Sequence, residues 1–571
     1  MDMRIARFRG LEMNERREFG VKAVARPDAG REGEQEDVFA FLARPESYAR
    51  AGKAAVEAVR RIDTHGAVVF LAGDEVYKVK RAVRYSFMDF STLDRRHAVC
   101  EAEIVANRAN APALYLGVAP ILRTPSGLAL GADRQPVAES PMAGPPGAKL
   151  PPEGEVVEWA VHMRRFDENA TLDRLAERGA LPKDMTARLA DMVVHAHAAA
   201  PAAVEPASAI RNLGTYIARN AEGLASRPDL FPPEQVKAVK AASLAALDAQ
   251  RGLLLSRAEA GFVRRCHGDM HLRNIALIDD APVLFDAIEF DESIATVDIL
   301  YDLAFLLMDL WDRDLHGIAN GVMNRYLWAR AEDADIAGLA ALPLLLSIRA
   351  GVRAMVTAAA LPHLAGEALA TAEGEAQAYL ALAGSFIAPV PARLLAIGGL
   401  SGTGKSTLAA LLAPGFGRPV GAVHLRSDIE RKNLLGTAET QHLPPEAYTS
   451  EVTARTYARL RHLAALALSA GQSVVVDAVH AKPAERAAIG EVAAHVGVPF
   501  DGLWLEAPLP VLEARVEART GDASDADVGV VRAQSAYDVG AIDWQRLQTG
   551  GGPEEVAAAA RALLDCGAVK T

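Results

Sequence analysis

One stretch of the sequence carries residues whose types and spacing suit phosphoryl transfer. Residues 267–274 have the spacing His-x-Asp-x-x-x-x-Asn, and Asp286 ends the apolar run that follows. This reaction needs one carboxylate to orient an acceptor hydroxyl, and an amide and a second carboxylate to hold a divalent metal. The pattern therefore predicts Asp269 as the acceptor-orienting carboxylate. Asn274 and Asp286 are the predicted Mg²⁺ ligands, because Mg²⁺ prefers hard oxygen donors, and His267 is expected to pack and fix the loop.

Such a site also needs a cation on the α- and β-phosphates of ATP, held by a glutamate from a neighbouring helix. Lys78 lies on an early predicted strand and is our candidate for the cation, with Lys80 on the same face as the alternative. Glu103, on the helix predicted over residues 93–110, is the candidate partner. Glu101 remains the alternative to Glu103.

A second phosphate signature lies far downstream, at residues 399–406, which read Gly-Leu-Ser-Gly-Thr-Gly-Lys-Ser. It follows the apolar strand Leu-Leu-Ala-Ile and opens a predicted helix, which is the context that a P-loop requires. Backbone N–H groups at such a helix start favour phosphate, and the lysine would reach the β- and γ-phosphates. The predicted ATP contacts are Gly399, Gly402, Thr403, Gly404, Lys405, Ser406 and Thr407, and the Ser406 hydroxyl is also a predicted Mg²⁺ ligand.

Three further features suit a P-loop kinase. Asp477 ends an apolar strand and is predicted to be a Walker-B-like Mg²⁺ ligand. The next residue is Ala478, whereas hydrolytic motors usually carry a glutamate at this position, so the sequence favours group transfer over ATP-driven mechanical work. The position of Asp428 fits an acceptor-orienting carboxylate and a helix N-cap equally well. Arg515 and Arg519 are one helical turn apart and are predicted to act together on the transferring phosphate, the alternative being a solvated helix face.

Composition bounds the class of protein. The chain has 571 residues, of which 50% are hydrophobic and 23% charged, so it is predicted to be soluble and globular with at least two domains. The net charge of −12 argues against a nucleic-acid partner. Three scattered cysteines indicate a reducing compartment, and no signal peptide is visible, so we expect a cytoplasmic protein. The oligomeric state is not readable.

The longest apolar segment, residues 341–361, is interrupted by Arg349 and Arg353. A membrane span needs about 20 residues almost free of charge, so this segment is predicted to be a buried helix. We therefore expect no membrane partner.

The order of the predicted elements gives an α+β bilobed protein-kinase-like domain followed by an α/β domain with a parallel sheet. Early strands precede an Ala- and Leu-rich helical part, and strands alternate with helices only after the prolines at 389 and 391. The predicted units are a mobile tail (1–34), a small lobe (35–163), a helical lobe (164–385), a linker (386–393) and a P-loop kinase domain (394–571).

The first motif set resembles a known family. HGDMHLRN followed by LFDAIEF and YDLAFLL resembles the aminoglycoside phosphotransferase family over about residues 38–384, and VFLAGDEVYKVKRAV, FMDFSTLDRR and APALYLG resemble its bacterial branch fused to a P-loop domain. The resemblance implies a kinase-like fold and ATP-dependent phosphorylation of a small-molecule hydroxyl, without implying an aminoglycoside substrate. One departure is that no Gly-x-Gly-x-x-Gly precedes Lys78.

The second motif set, GLSGTGKST, RSD, VVVDA and the Arg-x-x-x-Arg helix, resembles the small P-loop kinases over about residues 392–550. The combined hypothesis is a phosphotransferase with two ATP and Mg²⁺ sites, acting on a sugar, an aminoglycoside-like or a nucleoside-like hydroxyl. One alternative is a single catalytic domain regulated by an ATP-sensing P-loop domain. Another alternative is a nucleic-acid 5′-hydroxyl kinase.

Overall fold

The structure is a computed structural model that describes residues 29–49, 56–64, 66–85, 88–135, 154–519 and 521–568. Most of the predicted tail, residues 1–28, lies outside the described residues. Helix α1 (Ala29–Leu42) begins inside that predicted tail. The helix forms because Val38, Phe39 and Leu42 bury their side chains against the first sheet.

An antiparallel sheet forms the N-terminal part. Its strands are β1 (Val59–Asp63), β2 (Ala67–Ala72), β3 (Glu75–Lys80), β6 (Tyr115–Thr124), β7 (Gly127–Leu130) and β8 (Glu155–Arg164), and the short strands β4 (Arg84–Tyr85) and β5 (Met88–Asp89) pair separately. The order across the six-stranded sheet is β1-β2-β3-β8-β6-β7. Helix α2 (Leu93–Arg108) is capped by Thr92 and packs on β8, the strand beside β3, and on β6. This packing places the polar residues of β3 and α2 together.

Helices build the middle of the chain. They are α3 (Leu172–Glu177), α4 (Met185–Ala199), α5 (Ala207–Ala225), α6 (Pro233–Ala249), α7 (Arg251–Glu259), α8 (Glu292–Ala295), α9 (Ile299–Asp312), α10 (His316–Arg330), α11 (Asp333–Gly338), α12 (Leu342–Ala360) and α13 (Gly366–Ile387). Two short antiparallel pairs interrupt them: β9 (Val263–Arg265) with β12 (Thr296–Asp298), and β10 (Ile275–Ile278) with β11 (Ala281–Leu284). The loop with the first motif runs between β9 and β10.

The C-terminal part has a parallel sheet. Its strands are β13 (Leu394–Gly398), β14 (Val423–Arg426), β15 (Val474–Asp477), β16 (Phe500–Glu506) and β17 (Gln545–Gln548), in the order β14-β15-β13-β16-β17. The pairs are all parallel, as the alternation of strands and helices predicts. The helices are α14 (Lys405–Leu412), α15 (Ser427–Leu434), α16 (Ser450–Ser469), α17 (Pro483–Val496), α18 (Leu509–Glu517), α19 (Val528–Ser535) and α20 (Pro553–Ala568).

The two parts share buried surface. Helix α13 ends at Ile387 and β13 begins at Leu394, with Pro389 and Pro391 between them. One contiguous cluster of buried apolar side chains includes Leu345 of α12 and Val476 of β15. The helical part therefore packs directly against the parallel sheet.

The stretch Asp333–Ala360 is long and apolar enough to cross a membrane by length and composition alone, and 72% of its most apolar window is buried inside the protein. Arg349 shows why it suits a core instead. Its guanidinium lies 3.8 Å from the centre of the Tyr301 ring and donates to the Tyr301 carbonyl. The segment is thus a buried helix, as the sequence predicts.

Candidate active sites

Asp269 lies at the centre of the loop between β9 and β10. Its Oδ2 accepts a hydrogen bond from Asn274 Nδ2 at 2.9 Å and lies 3.3 Å from His271 Nε2. Burial raises the pKa of the Asp269 carboxyl, but the adjacent His271 outweighs burial and holds the pKa below its ordinary value. Asp269 is therefore ionised at neutral pH and can accept a hydrogen bond from an acceptor hydroxyl.

A buried carboxylate on α9 holds this loop from behind. The N–H groups of His267 and Gly268 donate to Asp302 at 3.3 and 2.8 Å, and Asp302 Oδ2 lies 3.4 Å from His197 Nε2 on α4. His267 Nε2 lies 2.9 Å from the carbonyl oxygen of Phe285, and burial lowers the pKa of His267. A neutral His267 thus ties the loop to the residue that precedes Asp286.

Charged residues from β3, α2 and the segment after β11 meet in one cluster. Lys78 Nζ lies 2.8 Å from Glu103 Oε1 and 3.0 Å from Asp286 Oδ1. Lys80 Nζ lies 2.6 Å from Glu103 Oε2 and also contacts Glu289. Both candidate lysines therefore touch the same glutamate.

The cluster distinguishes the candidates that the sequence left open. Lys78 reaches Asp286, whereas Lys80 is almost fully buried beside Glu289. Burial lowers the pKa of Lys78, but Asp286 and Glu103 outweigh it, so the ammonium group stays charged. Glu101 points elsewhere and its carboxylate is 42% exposed.

Asp286 has a backbone conformation that is rare for residues other than glycine. Its φ is 63°, its N–H donates to the Tyr115 hydroxyl at 3.1 Å, and the next N–H, of Ala287, donates to Asn107 Oδ1 at 2.8 Å. Such strained positions cluster at functional sites, where the surroundings hold them. Here β6 and α2 fix the direction of the Asp286 side chain.

The P-loop connects β13 to α14. Gly399, Gly402 and Gly404 have φ values of 138°, 83° and 88°, which favour glycine. A Cβ on Gly402 would lie 2.7 Å from the carbonyl oxygen of Leu512. Lys405 is the first residue of α14, and burial lowers the pKa of its ammonium group. A phosphate at this helix start would be stabilised by backbone N–H groups and by the helix dipole.

Two carboxylates follow neighbouring strands of the parallel sheet. Asp477 Oδ2 lies 3.6 Å from His424 Nε2 and 3.8 Å from Arg426 Nε. Burial raises the pKa of Asp477, but His424 and Lys405 outweigh it and hold the pKa below its ordinary value. Asp428 lies in the first turn of α15, and burial and Asp477 raise the pKa of its carboxyl. The N-cap is Arg426, so the N-cap interpretation of Asp428 is wrong.

The prediction that Arg515 and Arg519 lie one turn apart on the same helix is wrong. Arg515 lies on α18 and donates to the backbone and hydroxyl of Thr549, whereas α18 ends at Glu517 and Arg519 lies beyond it, 3.8 Å from Asp522. Ala518 is the C-cap of α18, and the N–H of Arg519 donates to the carbonyl of Val516, three residues back, so the α-helical hydrogen-bond pattern ends before Arg519.

A cavity of about 1430 Å³ opens over the P-loop. Its walls include the loop, the starts of α14 and α15, and residues from α16 to α19. Gly399 is the one predicted nucleotide or transfer residue of this half that does not line it. Those that do are Gly402, Thr403, Gly404, Lys405, Ser406, Thr407, Asp428, Asp477, Arg515 and Arg519.

Two segments of the chain match known protein families. Residues 149–340 match the phosphotransferase enzyme family, and residues 394–537 match a family described as an AAA domain. The chain joins a phosphotransferase domain to a P-loop domain. The predicted resemblances are confirmed, and the protein is a kinase-type, ATP-using enzyme. The first match includes Asp269, Asn274 and Asp286 but not Lys78 or Glu103.

Several known proteins are similar to this chain. An uncharacterized protein of Mycobacterium tuberculosis is 28% identical over 508 residues, which are 86% of this chain and 92% of the relative. The adenylyl-sulfate kinase of Myxococcus xanthus is 32% identical over 123 residues, which are 21% of this chain and 62% of the relative. A choline/ethanolamine kinase family protein from Mesorhizobium loti has a TM-score of 0.31 at 16% identity and covers 61% of this chain and 94% of its own.

Three side chains that shape these sites were not among the candidates predicted from the sequence. Glu289 contacts Lys80, the Tyr115 hydroxyl accepts the N–H of Asp286, and His424 lies against Asp477. Glu289 and His424 share a signal that could have revealed them, because each is a polar residue inside an apolar run. The bonding of Tyr115 has no such signal, since tyrosine is common in strands.

Removing the carboxylate behind the loop tests its role in the phosphotransferase domain. Asp302→Ala leaves the buried N–H groups of His267 and Gly268 without their acceptor, so we expect the free energy of unfolding of this domain to fall by about 2–5 kcal/mol. Calorimetric melting of the full chain measures the loss, with the exposed Asp191→Ala as control. An Asp302→Ala melting transition that coincides with that of Asp191→Ala would contradict the assignment.

Proposed function

We propose that the protein is a bilobed kinase-like phosphotransferase fused to a second phosphotransferase, each using Mg-ATP on a small-molecule hydroxyl. In each reaction the hydroxyl oxygen forms a bond to the γ-phosphorus, and the bond from that phosphorus to the β–γ bridging oxygen breaks. The hydroxyl proton leaves to a carboxylate, and ADP and a phosphate ester are the products. The composition supports a cytoplasmic location.

In the first centre, Asp269 orients the acceptor hydroxyl and receives its proton. Lys78 binds the α- and β-phosphates, and Glu103 positions Lys78. Asn274 and Asp286 present amide and carboxylate oxygens, and the contact of Asp286 with the Lys78 ammonium places the metal-binding group beside the phosphate-binding one. This donor set fits Mg²⁺, which when bound would neutralise charge on the β- and γ-phosphates.

In the second centre, Lys405 binds the β- and γ-phosphates, and Ser406 and Asp477 are oxygen donors that fit Mg²⁺. Asp428 orients the acceptor hydroxyl. Its raised pKa means that it binds a proton more readily than an ordinary aspartate, which suits the group that receives the hydroxyl proton. Arg515 and Arg519 stabilise the charge of the transferring phosphoryl group.

The size of the P-loop cavity is the observation that carries the proposal of two catalytic centres. Pockets for a single small ligand usually measure about 300–1,000 Å³, whereas this cavity has about 1430 Å³. Lys405 and Asp428 both line it, which supports the binding of a nucleotide and an acceptor side by side. A domain that only senses ATP needs room for the nucleotide alone.

A product screen tests the proposal. The purified full chain is incubated with Mg-ATP and pools of sugars, aminoglycosides, nucleosides and a 5′-hydroxyl oligonucleotide, and phosphorylated products are identified by mass spectrometry. We expect one product to vanish in Asp269→Ala and a different one in Lys405→Ala. If Lys405→Ala changes only the rate of the Asp269-dependent product, the P-loop domain is a sensor. Phosphorylation of the oligonucleotide alone would support the nucleic-acid alternative.

A further inference from the structure

The phosphotransferase domain covers one edge of the P-loop sheet. β14 is the edge strand and pairs with β15 on one side, where the N–H of Val423 donates to the carbonyl of Ser473. Successive residues of a strand point their backbone groups to opposite sides. The N–H and C=O of His424 therefore point to the outer edge, where helix α10 lies.

Side chains of α10 bind these backbone groups. Asn324 Oδ1 accepts the N–H of His424 at 2.7 Å, and Trp328 Nε1 donates to the His424 carbonyl at 2.8 Å. Asn320 and Asn324 both donate to the carbonyl of Ala422, at 3.0 and 3.1 Å. The helix thus replaces the neighbouring strand that β14 lacks.

The buried amide side chains indicate that α10 fixes the position of β14 and does more than cover the edge of the sheet. Asn320 and Asn324 are 3% and 2% exposed, and burying an amide is unfavourable unless it is hydrogen-bonded. Apolar side chains would bury the same surface without needing hydrogen-bond partners. Amides that bond to particular atoms hold β14 at one position along α10.

The opposite face of α10 is itself fixed within the phosphotransferase domain. The Tyr326 hydroxyl lies 2.9 Å from His197 Nδ1, and His197 contacts Asp302 behind the catalytic loop. A rigid helix therefore supports β14.

β14 carries the groups that surround the P-loop carboxylates. His424 and Arg426 lie against Asp477, and Asp428 follows in the first turn of α15. Any shift of β14 would move Asp428, the predicted acceptor-orienting carboxylate, and would change how His424 and Arg426 lie against the predicted metal ligand Asp477. Misplacement of reacting groups by about 1 Å can cost about a hundredfold in rate.

We propose that Asn324 and Trp328 of the phosphotransferase domain are positioning residues for phosphoryl transfer in the P-loop domain. The inference rests on the proposed catalytic function of that domain. Neither residue lines the P-loop cavity. They are therefore expected to act on kcat through β14 and to leave nucleotide binding by the P-loop unchanged.

The test compares Trp328→Phe and Asn324→Leu with Trp311→Phe in the full chain, all carrying Asp269→Asn to silence the first centre. Trp311 is a matched control because it stacks on His316 at the start of α10, and at 1.5 Å per residue His316 lies about 18 Å along the helix from Trp328. We expect kcat for the Lys405-dependent product to fall about tenfold in Trp328→Phe and about a hundredfold in Asn324→Leu. The dissociation constant of a fluorescent ADP analogue should change less than threefold. The substitutions remove interactions that matter in the transition state and leave ground-state binding of the nucleotide unchanged.

Hydrogen exchange provides a readout that does not depend on activity. The His424 amide should exchange faster in Asn324→Leu than in the Trp311→Phe control, because it loses its acceptor. Equal kcat in Trp328→Phe and Trp311→Phe, with Lys405-dependent product present, overturns this inference alone. Absence of any Lys405-dependent product in the parent protein overturns the proposed function and this inference together. A parallel loss of nucleotide binding and melting temperature would show a merely structural role and also overturn it.

Discussion

Asp269→Asn is expected to lower kcat of the first centre by about 10²–10⁴-fold. The amide is the same size as the carboxylate and can still contact Asn274, so the loop should keep its conformation. An amide cannot receive the proton of the acceptor hydroxyl, which is the role assigned to Asp269. The nucleotide contact of Lys78 is untouched, so ADP affinity should change little.

The measurement needs the P-loop centre to be silent. Transfer to the acceptor found in the product screen is followed in a Lys405→Ala background, and ADP binding is titrated in the same protein. Asp279→Asn is the matched control, because Asp279 is an exposed aspartate on the neighbouring β10–β11 turn with a φ of 49°, which asparagine tolerates. If Asp269→Asn and Asp279→Asn retain the same kcat, Asp269 has no role in the transfer.

Local sequence patterns predicted much of the fold. Strands β2 and β3 and the P-loop strand β13 lie where apolar runs bounded by glycine and charged residues indicated them. The boundary at the two prolines also coincides with the gap between α13 and β13. These features depend on neighbouring residues in the chain, which is why one sequence is enough to find them.

Contacts between distant segments could not be predicted in the same way. Lys78 and Asp286, which lie far apart in the chain, are in contact, and the sequence left Lys80 and Glu101 as alternatives to Lys78 and Glu103. The types of residue can be read from the sequence. That both lysines reach Glu103 depends on how β3 packs beside α2, which the sequence alone does not show. The end of α18 before Arg519 likewise depends on the hydrogen bonds of its last turn, which the spacing of the two arginines does not reveal.

Lys405→Ala is expected to lower kcat of the P-loop centre by about 10²–10³-fold, which is the usual effect of losing one preorganised charge stabiliser. Burial lowers the pKa of the Lys405 ammonium group, and Asp477 and Asp428 partly offset this effect. Its Nζ donates to the carbonyl of Leu400 at 3.0 Å. A β- or γ-phosphate is a charged acceptor and therefore a stronger one than this carbonyl, so the lysine would stabilise the nucleotide and the transition state.

The two centres can therefore be separated within one polypeptide. An Asp269→Asn background isolates the P-loop reaction, and the exposed Lys240→Ala on α6 controls for the loss of a lysine. Tight ADP binding should persist in Lys240→Ala and weaken in Lys405→Ala. If both variants form the product at the parental rate, the transfer does not use the P-loop. The cavity over Lys405 would then need another ligand.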